Sequence, residues 1–109
     1  MIGKSSTIYL AGHNGMVGSA ILRKLTKLKY EKIHVKNKKQ LDLRNQLAVD
    51  RYLKKIKPSA VIIAAAKVGG INANNKYKAD FIYDNLAIQN NLINSSFKAG
   101  VKNLIFLGS

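Results

Sequence analysis

The stretch TIYLAGHNGMVG, residues 7–18, decides the fold. A mostly apolar, partly β-branched run of five residues leads into three glycines, each separated from the next by two residues. This G-x-x-G-x-x-G spacing is a relative of the dinucleotide fingerprint, in which a strand, a phosphate-binding turn and a helix follow one another. The pattern predicts a dinucleotide site that includes Gly12, His13, Asn14, Gly15, Met16, Val17 and Gly18.

Each glycine has its own physical task in such a turn. Gly12 permits the tight turn, Gly15 lets a pyrophosphate approach the backbone, and Gly18 allows the helix to pack closely on the strand. The N-terminus of the following helix offers free N–H groups and a partial positive charge to the phosphates. A merely structural turn is the alternative, which the strand–turn–helix context disfavours.

The rest of the chain repeats this alternation of strands and helices. Short apolar runs separated by helical patterns predict parallel βαβ units with right-handed crossovers. We therefore expect an α/β fold, an incomplete Rossmann-type doubly wound parallel sheet of four strands in the order 3-2-1-4, with helices on both faces. In that order the first and last strands are neighbours, and the glycine turn faces residues 107–109 across one crevice. The predicted strands are Thr7–Ala11, Lys32–Val35, Ala60–Ala65 and Asn103–Leu107.

The helical segments show different apolar patterns. The first helix is expected from near Met16, and the second after Asp42 or Asn45, with Pro58 ending it. The third, from about Asp80 to Lys98, carries two apolar stripes roughly 130° apart, so one stripe needs a partner other than the sheet. One stripe comprises Ile82, Leu86, Ile93 and Phe97, and the other comprises Phe81, Ile88 and Leu92.

Composition restricts the class of protein. A chain of 109 residues without cysteine predicts one soluble, cytoplasmic domain with no disulfide and no metal site. The longest apolar run, residues 60–66, is far short of the about 20 residues that span a bilayer. A net charge of +14 raises the question of nucleic acid, but the lysines are spread along the whole chain, which favours a solvated surface. We interpret residues 1–109 as the N-terminal part of an NAD(P)-binding domain, with the substrate domain absent.

The end of the second predicted strand bears on the choice of cofactor. An NAD enzyme usually places an acid there for the ribose 2′-hydroxyl, but this chain has VKNKK at residues 35–39. Lys36 and Lys38 therefore favour the 2′-phosphate of NADP(H), unless they are simply two more surface lysines. Asp42 and Leu43 follow within reach of the adenine end, although Asp42 could instead cap a helix. Small residues after the third strand let the cofactor lie across the sheet, namely Ala64, Ala65 and Ala66.

Taken together, these motifs resemble the GDP-L-fucose synthases, a family of NADP-dependent epimerase/reductases in the extended short-chain dehydrogenase/reductase superfamily. The resemblance runs through AGHNGMVGSAI, LDLRN, AAAKVGGINANN, ADFIYDNLAIQNNLI and NLIFLGS. It implies that GDP-4-keto-6-deoxy-D-mannose is epimerised at two carbons and then reduced at its 4-keto group by hydride from NADPH, giving GDP-L-fucose.

The resemblance also implies roles for individual residues. Lys38 and Asn14 stand where the family often has arginine, which weakens the bidentate grip on phosphate. Leu107 and Gly108 are expected at the cofactor. Ser109 matches a serine that positions the substrate carbonyl beside a Tyr-x-x-x-Lys pair. Because that pair and the proton-transferring Cys and His would lie beyond residue 109, the fragment alone is expected to be inactive.

The resemblance further implies a homodimer in which this third helix joins a later one in a four-helix bundle. We expect the stripe of Phe81, Ile88 and Leu92 to face the partner subunit, unless a further segment of the same subunit covers it. Two other functions stay open at this point. One is an NAD-dependent sugar-nucleotide epimerase or dehydratase, and the other is a non-catalytic basic module that binds nucleic acid.

Overall fold

All four predicted strands form one parallel sheet in the computed structural model, which describes residues 2–64 and 75–107, with only the backbone at 75–78 and 81. The Rossmann-type α/β fold is thereby confirmed. None of the described helices is long and apolar enough to cross a membrane. In chain order the elements are β1 (Thr7–Ala11), α1 (Met16–Lys27), β2 (Lys32–His34), α2 (Gln46–Ile56), β3 (Ala60–Ile63), α3 (Asn75–Lys98) and β4 (Asn103–Phe106).

The predicted strand order is wrong, because the sheet runs β2-β1-β3-β4. Strand β3 pairs with β1 on the side away from β2, so β1 and β4 are not neighbours. Burial explains the order. Every residue of β3 is at most 8% exposed, as an interior strand requires, whereas the Lys-Ile-His sequence of β2 is exposed or half-buried and suits an edge. The chain therefore changes direction between β1 and β3, and ligands of such sheets bind at that switch point.

Helices cover both faces of the sheet, as predicted. Alternate residues of the two central strands point to opposite sides, which creates two apolar clusters. Helix α1 covers one face, where Ile21, Leu22 and Leu25 pack on Ile8, Leu10, Ala60 and Ile62. On the other face, α2 and α3 supply Val49, Leu53 and Leu92, which pack on Tyr9, Ala11, Val61 and Ile63.

Local signals set the ends of α2. The Asn45 side chain accepts a hydrogen bond from the Ala48 amide at 3.1 Å, so Asn45 rather than Asp42 caps the helix. After Ile56 the backbone turns left-handed at Lys57, with φ of 46°, and Pro58 follows. Helix α3 begins at Asn75 and not near Asp80, because a polar first turn can extend a helix without any apolar spacing.

The two stripes of α3 have the opposite orientation to the one predicted. Leu92 is fully buried and Ile88 packs beside it, while the Phe81 side chain lies outside the described residues. Asn91 and Ser95 lie on the inward side as well, and both bond to α2 or to the segment before it, which fixes the rotation of the helix. The exposed stripe, defined here as the outer stripe, consists of Ile82, Leu86, Ile93 and Phe97.

Gly18 lets α1 approach the turn after β1. A Cβ at this position would lie 1.8 Å from the Gly12 carbonyl oxygen and 2.6 Å from its carbon, which are impossible contacts with rigid backbone. Gly18 therefore has the role predicted for it, since it allows α1 to pack closely on the turn after β1.

We expect Gly18→Ala to lower the free energy of unfolding by about 1–3 kcal/mol, because the backbone of the turn must shift to admit the methyl group. Urea denaturation measures the change. Gly3→Ala is the matched control, since a Cβ there meets nothing within 4 Å. Equal unfolding midpoints for the two variants would contradict the assignment.

Candidate nucleotide-binding site

A cleft of about 290 Å³ opens at the carboxyl ends of β1, β2 and β3. Its position coincides with the change of chain direction between β1 and β3, where doubly wound sheets bind their ligands. The volume lies at the lower end of small-molecule sites and matches part of a dinucleotide. Its described lining is Gly12, His13, Asn14, Gly15, Lys36, Asn37, Lys38, Leu41, Asp42, Leu43, Arg44, Ala64, Asp84, Asn85 and Ile88.

The glycine turn forms the floor of the cleft next to the start of α1. Gly12 has a φ of 89°, a conformation that favours glycine, and its carbonyl accepts the Gly15 amide at 3.2 Å. No side chain caps α1, and its first turn contains no acid. The helix N-terminus therefore keeps amide donors and a partial positive charge for an anion.

Gly15 lines the cleft, although the fold itself does not require a glycine there. A Cβ would meet only the Gly12 carbonyl oxygen, at an ordinary 3.7 Å, and φ is −77°. Because Gly15 has no side chain, the cleft is lined by bare backbone at this residue. This is the cradle that a pyrophosphate needs.

Lys36 and Lys38 stand at the end of β2 on the lining of the cleft. Among the described residues, neither forms an ion pair with a carboxylate. The Lys36 ammonium lies 5.7 Å from the centroid of the Tyr52 ring, a cation–π contact. Tyr52 in turn packs edge-on against Tyr9 at 5.2 Å, so a core aromatic pair supports Lys36. Burial raises the pKa of the Tyr52 hydroxyl, which keeps it protonated.

Arg44 joins two walls of the cleft. Its Nε and Nη2 donate to the two carboxylate oxygens of Asp42 at 3.1 and 2.9 Å, and its Nη1 lies 3.7 Å from Oδ2 of Asp84 on α3. A second link runs from the Asn91 side-chain amide to the Leu43 carbonyl at 2.9 Å. The hydrogen bonds from Arg44 hold the pKa of Asp42 below its usual range. In the part of the chain that the structure describes, no group of acids, histidines and cysteines could hold a metal ion.

The structure brings most of the predicted residues together. Nine of them line the cleft, namely Gly12, His13, Asn14, Gly15, Lys36, Lys38, Asp42, Leu43 and Ala64. Met16 and Val17 are exposed at the start of α1, and Gly18 is buried beneath the turn. Leu107 packs with the apolar cluster on the α1 face, and the described lining does not include it. Four predicted residues lie outside the described residues: Ala65, Ala66, Gly108 and Ser109.

Sequence reasoning missed Arg44 and Asp84. Arg44 stands within the LDLRN motif, two residues after Asp42, so its pairing with that carboxylate had a local signal. Asp84 lies 40 residues further along the chain, and only the packing of α3 against α2 brings it to the cleft.

Three comparisons with known proteins agree with this geometry. The sequence pattern of the NAD dependent epimerase/dehydratase family matches residues 8–109. GDP-L-fucose synthase 1 of Arabidopsis thaliana is 52% identical over 109 residues, which are 100% of this chain and 34% of that protein. The GDP-L-fucose synthase of Sinorhizobium fredii is 55% identical over 102 residues, 94% of this chain and 32% of that protein. The resemblance drawn from the motifs is confirmed, and the chain spans about a third of the length of these relatives.

Solved structures also match the chain closely. A GDP-mannoheptose C4 reductase from Campylobacter jejuni with NADP bound has a TM-score of 0.92 at 42% identity. The match covers 99% of this chain and 34% of that one. The fold is therefore shared with a protein whose structure contains NADP.

Acidification is expected to break the Asp42–Arg44 pair. Because the folded state lowers the pKa of Asp42, its contribution to stability is present above about pH 4, the usual carboxyl range, and is lost as pH falls through the lower folded value. Arg44→Gln should return the titration of Asp42 toward that usual range. Carboxyl-carbon NMR measures both titrations. Arg51→Gln removes an exposed arginine from α2 and should leave the pKa of Asp42 unchanged. An equal shift of this pKa in both variants would contradict the pairing of Asp42 with Arg44.

Proposed function

This chain belongs to the NAD dependent epimerase/dehydratase family, and on that premise we propose that its cleft binds the adenosine and phosphate groups of NADP(H). The observation that carries the proposal is the open backbone at Gly15, beside an uncapped helix N-terminus. Both features suit an anion held by amide donors, and neither is needed by the fold. Residues 1–109 are on this view the N-terminal part of the cofactor-binding domain.

The charges at the end of β2 favour NADP over NAD. Lys36 and Lys38 line the cleft without a described carboxylate partner, where an NAD enzyme would usually place an acid. A 2′-phosphate gains charge-assisted hydrogen bonds from such lysines. NAD has no 2′-phosphate, so an NAD-dependent epimerase or dehydratase, the nearest alternative, would not need these two lysines.

The proposed reaction is that of the GDP-L-fucose synthases. The keto sugar GDP-4-keto-6-deoxy-D-mannose is the proposed substrate, and NADPH supplies the hydride that reduces its 4-keto group. Ser109 is proposed to position that carbonyl. We propose that residues 1–109 alone are inactive, since the chain offers no Tyr-x-x-x-Lys pair and no cysteine for proton transfer. The cytoplasmic location stays a prediction of the cysteine-free sequence.

A nucleic-acid module is disfavoured by the placement of charge. Exposed lysines stand on α1, on α2 and in the turns between elements, so the described cations do not form one stripe. Specific binding of a phosphate backbone needs such a stripe or patch.

The protein expressed from the whole reading frame that contains these 109 residues should oxidise NADPH when given the keto sugar. Oxidation of NADH should be about tenfold less efficient or worse, because each charge-assisted contact to phosphate contributes roughly 1.5–3 kcal/mol. Lys36→Ala/Lys38→Ala should lower the ratio of the NADPH to the NADH oxidation efficiency, and so should added salt. Steady-state kinetics with each nucleotide measure this ratio.

The control for this experiment is Lys54→Ala/Lys55→Ala, which removes the same charge from the exposed end of α2. It should leave the ratio unchanged. Equal oxidation of NADH and NADPH by the unaltered protein would reject the NADP assignment. If the keto sugar caused no oxidation of NADPH, the proposed reaction would be rejected.

We further propose that the intact protein is a homodimer, and that α3 contributes the outer stripe to the contact. Phe97 is 83% exposed and Ile82 is 59% exposed, which is a large apolar surface on one side of a helix. Contiguous apolar patches of this kind mark interfaces. The contact residues therefore differ from those predicted, since Leu92 belongs to the core.

Phe97→Glu is expected to dissociate this dimer, because the partner would have to bury a carboxylate. Sedimentation of the intact protein measures the change. Ala20→Glu adds the same charge to an exposed position on α1, across the sheet, and should leave the dimer intact. An unchanged sedimentation coefficient for Phe97→Glu would show that the stripe is covered within one subunit or that no dimer forms through it.

A further inference from the structure

The cleft concentrates the few acids of a very basic chain. The sequence has five acidic residues against 19 Lys and Arg, and two of the five, Asp42 and Asp84, line this cleft. Three cations line it as well: Lys36, Lys38 and Arg44. The described lining thus has one net positive charge. Which of its cations can contact a bound anion depends on which cations the two acids engage.

Arg44 engages both acids. It donates three hydrogen bonds to Asp42, two from its guanidinium and one from its backbone amide at 3.0 Å, and its other guanidinium nitrogen lies 3.7 Å from Asp84. All three side chains are about two-fifths exposed, so the arrangement lies at the mouth of the cleft.

Lys38 is the competing cation. It makes no ion pair with a described acid, yet it lies close enough for its charge to contribute to the lowered pKa of Asp42. The planar guanidinium holds a carboxylate bidentately, which an ammonium cannot do, so Arg44 outcompetes Lys38 for Asp42. Without Arg44, Lys38 would be the remaining cation whose charge acts on that carboxylate.

We infer that Arg44 is a specificity-determining residue that acts without touching the phosphate: by occupying Asp42 and Asp84, it leaves Lys36 and Lys38 free for a phosphate monoester on the nucleotide ribose. The inference rests on the proposed binding of NADP(H). It assigns to Arg44 a positioning role, because the residue acts through the charges of its neighbours.

Removing Arg44 should therefore weaken the preference for the phosphorylated nucleotide and spare the rest of the affinity. In Arg44→Met the two lysines face two unpaired carboxylates. The ratio of NADPH to NADH affinity should fall about fivefold, the scale of one partly exposed charge pair. Fluorescence titration of the intact protein with each nucleotide measures the ratio, and the fall should shrink as salt rises.

A rescue variant tests the mechanism. Arg44→Met/Asp42→Asn removes the carboxylate that Lys38 would otherwise engage and restores one net positive charge to the lining, so the ratio of NADPH to NADH affinity should return toward its original value although Arg44 is still missing. Asp84→Asn alone should raise the ratio, which gives a second measurement if Arg44→Met folds poorly. Arg51→Met is the control, because it removes an exposed arginine from α2 that has no described ion pair.

The outcomes separate the inference from the function on which it rests. If Arg44 binds the phosphate itself, the double variant will not be rescued, and the inference is overturned. If Arg44 only holds the loop in place, NADPH and NADH will weaken equally, which also overturns it. If the unaltered protein binds neither nucleotide, the proposed function fails, whereas an NADPH preference that Arg44→Met leaves unchanged defeats the inference alone.

Discussion

The close approach of α1 to the turn after β1 is the constraint on which the cleft depends. Residue 18 lies so near the Gly12 carbonyl that any side chain would collide with the backbone. Because α1 can come this close, its uncapped N-terminus stands directly at the end of the strand. The same contact fixes α1 on one face of the sheet, where it buries the apolar residues of β1 and β3. One missing methyl group therefore serves both the packing and the site.

The second constraint is the central position of β3. Its four residues are apolar on both faces and buried, so the strand has to lie between two others with helices above and below. The chain crosses over β1 to reach that position after β2. The chain direction therefore changes between β1 and β3, and the cleft lies at the carboxyl ends of these strands.

Electrostatics then gives the cleft its character. An overall charge of +14 says little about a site, since exposed lysines occur in every part of the described chain. What distinguishes the cleft is how its charges are paired: the two acids are bound to one arginine, and the two lysines are not ion-paired with any described carboxylate. A phosphate in the cleft would therefore meet two lysines without a described ion pair, and not the evenly spread charge that the composition suggests.

The sequence by itself determined the fold class, the glycine turn and nine of the residues that line the cleft, because each depends on local spacing or on residues near in the chain. It narrowed the cap of α2 to Asp42 or Asn45, and the structure decided for Asn45. The apolar Ala-Val-Ile-Ile run indicated an interior strand and the Lys-Ile-His run suited an edge, but the pairing of β3 with β1 was decided by the tertiary structure. Only the tertiary structure decided which stripe of α3 faces inward, since both are apolar and the rotation depends on bonds from Asn91 and Ser95 to partners more than 40 residues away. It also decided the partner of Arg44 on α3, because a contact between two elements depends on how they pack and leaves no periodic trace in either one.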